Sequence, residues 1–108
     1  MSDLSNSKCV PCEGGVPPLS AASAAVKSQL HSEWTIASDT KSLKRSYRFK
    51  DFYRTMSFVN AVAYIANLED HHPDLEVGYD YCRVTFATHS IGGLSQNDFI
   101  CAAKLDRL

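Results

Sequence analysis

The chain has 108 residues and a formal net charge of −1. That length fits one domain able to bury a core, and the near-neutral charge excludes binding nucleic acid through a broad basic surface, which needs clustered Lys and Arg. No run of about 18 apolar residues reads as a membrane span, and the polar N-terminus lacks the apolar core of a secretion signal, so the cytoplasm is the expected compartment.

Residues 1–19 read as an irregular arm, because Cys9-Val10-Pro11-Cys12-Glu13-Gly14-Gly15 and Pro17-Pro18 are rich in helix and strand breakers. The domain proper spans 20–108. Ser20 offers an N-cap to a first helix over 21–30, whose Ala22, Ala25, Val26 and Leu30 recur at helical spacing. Residues 34–37 then predict a short strand, and Ser38-Asp39-Thr40 a turn. Leu43, Arg45, Tyr47 and Phe49 alternate with Lys44, Ser46, Arg48 and Lys50, the period of a half-buried strand. Arg45 is the odd member of its apolar face. The two strands should form an antiparallel hairpin.

Asp51 is placed to cap a long helix over 52–68. Phe52, Met56, Val59, Ala63 and Ala66 form its apolar stripe, widened by Phe58, Val62 and Ile65. So broad a face predicts packing on the sheet and on a second copy of the chain. Pro73 disfavours helical geometry at His72 and turns the chain outward. Residues 77–79 and 81–88 predict a second strand pair. Gly92-Gly93 breaks it, and Ser95 with Asp98 forms a capping box for a last helix. The order α-β-β-α-β-β-α predicts an α+β fold with a four-stranded antiparallel sheet and three helices on one face.

Three of the four histidines fall at His71, His72 and His89. His71 and His72 are adjacent, so their side chains diverge and suit two walls of a pocket. One of them could instead cap the preceding helix, where a cation is favoured, and both readings stay open. Imidazole moves protons near neutral pH without extreme tuning, and Asp70 could orient a ring. No nucleophile-elbow motif is present, which favours proton transfer over acyl transfer. A zinc site is the competing use, since Cys9 and Cys12 have half-site spacing. Adjacent histidines chelate poorly and there is no second Cys-x-x-Cys, so no metal is expected. Cys82 and Cys101 read as small core residues, and the cysteine arm as a cap on the domain. Asp98 reads as structural, His31 as a surface residue, and Trp34 and Tyr79 as core or pocket wall.

The stretch Asp70-His71-His72-Pro73, then Tyr79, Thr88-His89, Gly93-Leu94-Ser95 and Asp98, resembles the pterin-4a-carbinolamine dehydratases. The likeness extends upstream through Trp34 and Tyr47-x-Phe49-Lys50-Asp51-Phe52 and covers about residues 20–108. The Cys9 to Gly15 arm is similar to the extension of a plant, protist and bacterial branch. The resemblance implies removal of water from 4a-hydroxytetrahydropterin to give quinonoid dihydropterin, with no metal or organic cofactor. It implies His71 and His89 as acid and base, and His72 with Asp70 binding the pterin. Ala87 and Thr88 would contribute backbone contacts, and Pro73 would shape the pocket floor. It further implies a homodimer or homotetramer or, as in animal members, binding to a transcription factor as a dimerisation cofactor. Two positions depart from the family pattern: Asn67 stands where a glutamate is usual, and Leu75 where an aromatic is frequent.

Overall fold

The computed structural model describes Asn6, Cys9 and residues 30–39, 41–88 and 92–108. Apart from its last residue, Leu30, which is buried, the helix expected over 21–30 lies outside these residues, as does nearly all of the arm. Strands β1 (Thr35–Ile36), β2 (Leu43–Arg48), β3 (Asp74–Val77) and β4 (Tyr81–Phe86) form one antiparallel sheet in the order β1-β2-β4-β3. Helices α1 (Phe52–Glu69) and α2 (Gln96–Leu105) pack on one face of it. Two helices are therefore present among the described residues. Neither is long and apolar enough to cross a membrane.

The alternation in β2 and β4 does what its period demands. Leu43 pairs with Phe86, Arg45 with Val84 and Tyr47 with Cys82, so one face of the central strands turns inward. Leu43, Cys82, Val84 and Phe86 are buried there with Trp34, Val62, Leu94 and Phe99. Arg45 is accommodated on that face because Asp106, after α2, accepts from its guanidinium at 2.8 Å. The same carboxylate accepts from Trp34 Nε1 at 2.7 Å and from the His31 N–H at 2.9 Å. His31 itself is exposed, as expected.

The second hairpin sits further upstream than the pattern of Val77 and Tyr79 suggests. The first of its strands is β3, and Gly78-Tyr79-Asp80 is the turn, closed by Gly78 N–H on Tyr81 O at 3.0 Å. A Cβ on Gly78 would meet the Tyr81 ring, so any larger residue in this turn requires that ring to move. Tyr79 is consequently exposed and stacks on Phe52, with ring centroids 6.3 Å apart, rather than lining a core or pocket. Leu75, in β3, is half-buried against the core.

Helix α1 begins at Asp51, whose Oδ1 accepts from Arg54 N–H at 2.9 Å. Its buried line runs through Thr55, Val62, Ala66 and Glu69, flanked by half-buried Phe58, Val59 and Ile65, while Phe52 and Ala63 are exposed. The stripe is thus displaced from the one hydrophobicity alone predicts. Two polar members are admitted because each has partners. Thr55 Oγ1 donates within 2.9 Å of Asp51 O and Tyr79 O. Glu69 accepts from Cys9 N–H at 2.8 Å and lies 4.0 Å from Lys104 Nζ.

Candidate active site

The site is made where α1 ends and α2 begins. Asp70 closes α1 in the left-handed region, φ 51°, and His71 N–H returns to Ala66 O at 3.1 Å. The main chain, not a histidine ring, therefore caps the carbonyls of Ala66 and Asn67 in the last turn of α1. This reversal sends the next two side chains apart. His71 turns inward and is 12% exposed, with its Nε2 2.6 Å from Asp98 Oδ1. Exposed His72 turns outward, its Nε2 2.9 Å from Asn67 Oδ1. Asn67 thus engages the second histidine. Pro73 is half-buried and leads directly into β3.

Asp98 is fully buried and held on both oxygens. Its Oδ2 accepts from Ser95 N–H at 2.9 Å, which ties off the start of α2, and from Thr88 Oγ1 at 2.8 Å. Thr88 Oγ1 also lies 2.7 Å from Ser95 Oγ. A carboxylate only accepts, so the Thr88 hydroxyl proton is committed to Asp98 and Ser95 donates to Thr88. The result is a polarised chain, Ser95 to Thr88 to Asp98, with His71 donating from the other side. With Nε2 the donor, the neutral ring carries its lone pair on Nδ1, the atom able to take a proton. The ring lies nearly parallel to Phe86, with an interplanar angle of 9° and centroids 6.0 Å apart.

Thr88 is in turn held by Gly93, the two exchanging main-chain hydrogen bonds of 3.2 and 3.4 Å. Gly92 supplies the positive φ of 68° that this return requires. On the other side of Thr88 lies a cavity of about 350 Å³, lined among others by Asp39, Lys41, Asp74, Thr85 and Ala87, within the range of small-molecule sites. Neither His71 nor His72 lines it, and Thr88 is the link between them. Of the expected site residues, the structure joins His71 to Thr88, pairs His72 with Asn67, and sets Ala87 beside Thr88. Asp70 contributes a backbone turn and is exposed. His89 follows Thr88 in the chain but lies outside the described residues. Asp98 and Ser95 are the members that sequence reasoning missed. Their i, i+3 spacing was legible as a cap, but nothing local signals that the same carboxylate reaches His71.

The class defined by this fold and site is a small α+β protein of one antiparallel sheet, with a histidine–carboxylate pair seated between its two helices. The family model described as Pterin 4 alpha carbinolamine dehydratase matches residues 17–108, and the chain belongs to that family. A Nitrosomonas europaea relative, provisionally named a pterin-4-alpha-carbinolamine dehydratase, is 57% identical over 107 residues, covering 98% of this chain and 93% of its own. One from Legionella pneumophila (strain Corby), named in the same way, is 55% identical over 108 residues, covering 99% and 96%. Among solved structures, a transcriptional coactivator/pterin dehydratase from Brucella melitensis superposes with a TM-score of 0.77 at 30% identity, covering 83% of this chain and 96% of its own. A pterin dehydratase-like protein described as a RuBisCO assembly factor in the alpha-carboxysome shares the fold, with a TM-score of 0.62 at 22% identity over 71% of this chain and 89% of its own.

Proposed function

We propose that the chain dehydrates 4a-hydroxytetrahydrobiopterin to quinonoid dihydropterin by histidine acid/base catalysis, in the recycling of tetrahydrobiopterin. The observation that carries this reading is the His71–Asp98 pair, with its 2.6 Å contact. The reaction needs a base to take the proton from N5 and an acid to deliver one to the departing 4a hydroxyl. As the N5–H and C4a–O bonds break, the N5=C4a bond forms and water leaves. In this reading His71 and His89 exchange those protons, while His72 and Asp70 orient the ring. Pro73, Ala87 and Thr88 shape and line its seat. Asp98, 2.6 Å from Nε2, fixes the His71 ring orientation and tautomer. The compartment that suits such recycling is the cytoplasm.

The test is dehydration of chemically made 4a-hydroxytetrahydropterin. His71→Ala and His89→Ala should each slow it at least about tenfold, since positioned acid/base groups contribute roughly 10²–10⁴. Rates equal to the parent in both variants overturn the assignment.

A second reading is supported by α1, which leaves Tyr53, Tyr64 and Leu68 largely exposed along its outer side. Such a face suits self-association into a dimer or tetramer, or binding to a transcription factor as a dimerisation cofactor. The Brucella melitensis protein carries both descriptions, coactivator and dehydratase. Tyr64→Lys with unchanged dehydration but a smaller particle by light scattering would support the oligomer. An unchanged particle size would refute a role for this face in assembly.

A further inference from the structure

Of the two described arm residues, Asn6 is exposed, whereas Cys9 packs against the domain. Its N–H donates to Glu69 at 2.8 Å. Its Sγ lies 3.7 Å from Asn97 O and 3.5 Å from Cys101 Sγ. Glu69 stands two residues before His71, and Asn97 and Cys101 flank Asp98 on α2. One arm residue therefore touches both elements that hold the His71–Asp98 pair. We propose that Cys9 and Cys101 form a reversible disulfide site, oxidised by hydroperoxides, that joins the arm covalently to α2.

The geometry supports the pairing. A disulfide bond is about 2.05 Å long, so two sulfurs already in van der Waals contact need approach each other by only about 1.5 Å. The division of labour follows from exposure. Cys101 has no exposed surface, whereas Cys9 is half-buried and open to a small oxidant. Hydrogen bonding to Cys9, and then burial, push the Cys101 thiol up and keep it protonated at neutral pH, so the first attack falls to Cys9. The Cys9 thiolate attacks one peroxide oxygen, the O–O bond breaks, and a sulfenic acid and hydroxide result. Cys101 sulfur then attacks Cys9 sulfur and gives up its proton. The S–O bond breaks and the hydroxyl leaves as water. Overall, two thiols lose two electrons and two protons, and hydrogen peroxide becomes two waters. Cys82 is buried in β4, and burial pushes its thiol up too, which makes it an internal control.

The experiment treats the reduced, full-length chain with hydrogen peroxide, then blocks remaining thiols and maps peptides without reduction. The expected product is an intramolecular link between the Cys9 and Cys101 peptides, with two of the four thiols lost and both restored by dithiothreitol. Cys12→Ser should keep the link. Cys9→Ser, a change confined to the arm, should abolish it and leave Cys101 reduced. A Cys9–Cys12 link in the parent chain overturns the proposal. So does conversion of Cys9 to its sulfinic acid while Cys101 stays a free thiol.

Discussion

Replacing Asp98 with asparagine tests the site at its most constrained atom. Asp98 Oδ2 receives two donors, from Ser95 and Thr88, at 2.9 and 2.8 Å. In the Asp98→Asn variant the side-chain amide oxygen must keep that position, so the amide nitrogen faces His71. A donor then meets a donor, and the ring must carry its proton on Nδ1 and accept at Nε2. The lone pair is lost from the nitrogen that would serve as base, and the charge-assisted hydrogen bond to the carboxylate is gone. A hydrogen bond to a charged group contributes about 1.5–3 kcal/mol. If that stabilisation is expressed in the transition state, dehydration slows by about 10- to 150-fold, at about 1.4 kcal/mol per tenfold. Because two of the three hydrogen bonds survive, the variant should still fold, which a thermal melt checks. Stopped-flow dehydration of 4a-hydroxytetrahydropterin gives the rate. A folded Asp98→Asn protein within threefold of the parent would refute the role given to this carboxylate.

Asn67→Ala removes the hydrogen bond to exposed His72; it should raise KM by about threefold and leave kcat nearly unchanged, since such a bond contributes about 0.5–1 kcal/mol. Asp106→Ala strips three donors of their acceptor and leaves Arg45, 14% exposed, without that carboxylate; urea unfolding should show a loss of about 3 kcal/mol. Gly92→Ala meets no atom within 4 Å but must hold φ 68°. Its cost should therefore be the backbone penalty alone, about 1 kcal/mol in the same assay.

What the sequence discloses about this fold depends on how far apart the interacting residues lie. The β2 alternation was legible because period two is a property of neighbours. Arg45 was legible only as an exception, since its partner Asp106 is 61 residues away. Thr55 and Glu69 were invisible as core members for the same reason. Their acceptor and donor, Tyr79 O and Cys9 N–H, stand 24 and 60 positions off, and no hydrophobic pattern marks a polar residue whose partner is remote. Tyr79 invited a strand because aromatics favour strands, yet the glycine before it makes the turn. At the site, the divergence of His71 and His72 followed from adjacency, and the cap at Ser95 and Asp98 from their spacing. The 27-residue reach from Asp98 to His71 belongs to the packing of α2 beside the end of α1.

Trp34, the only tryptophan, has no exposed surface, and its ring lies 6.1 Å from Phe86. Phe86 in turn faces the His71 ring at 6.0 Å. The indole is therefore one aromatic ring removed from the proposed proton carrier. Its fluorescence is a built-in optical reporter, free of competing emitters of its kind. Emission from an indole so shielded from water lies to the blue of that from an exposed one. Unfolding moves it red, whereas a ligand that shifts the His71–Phe86 stack alters its intensity with the core intact. One unlabelled sample can thus separate loss of structure from occupation of the site.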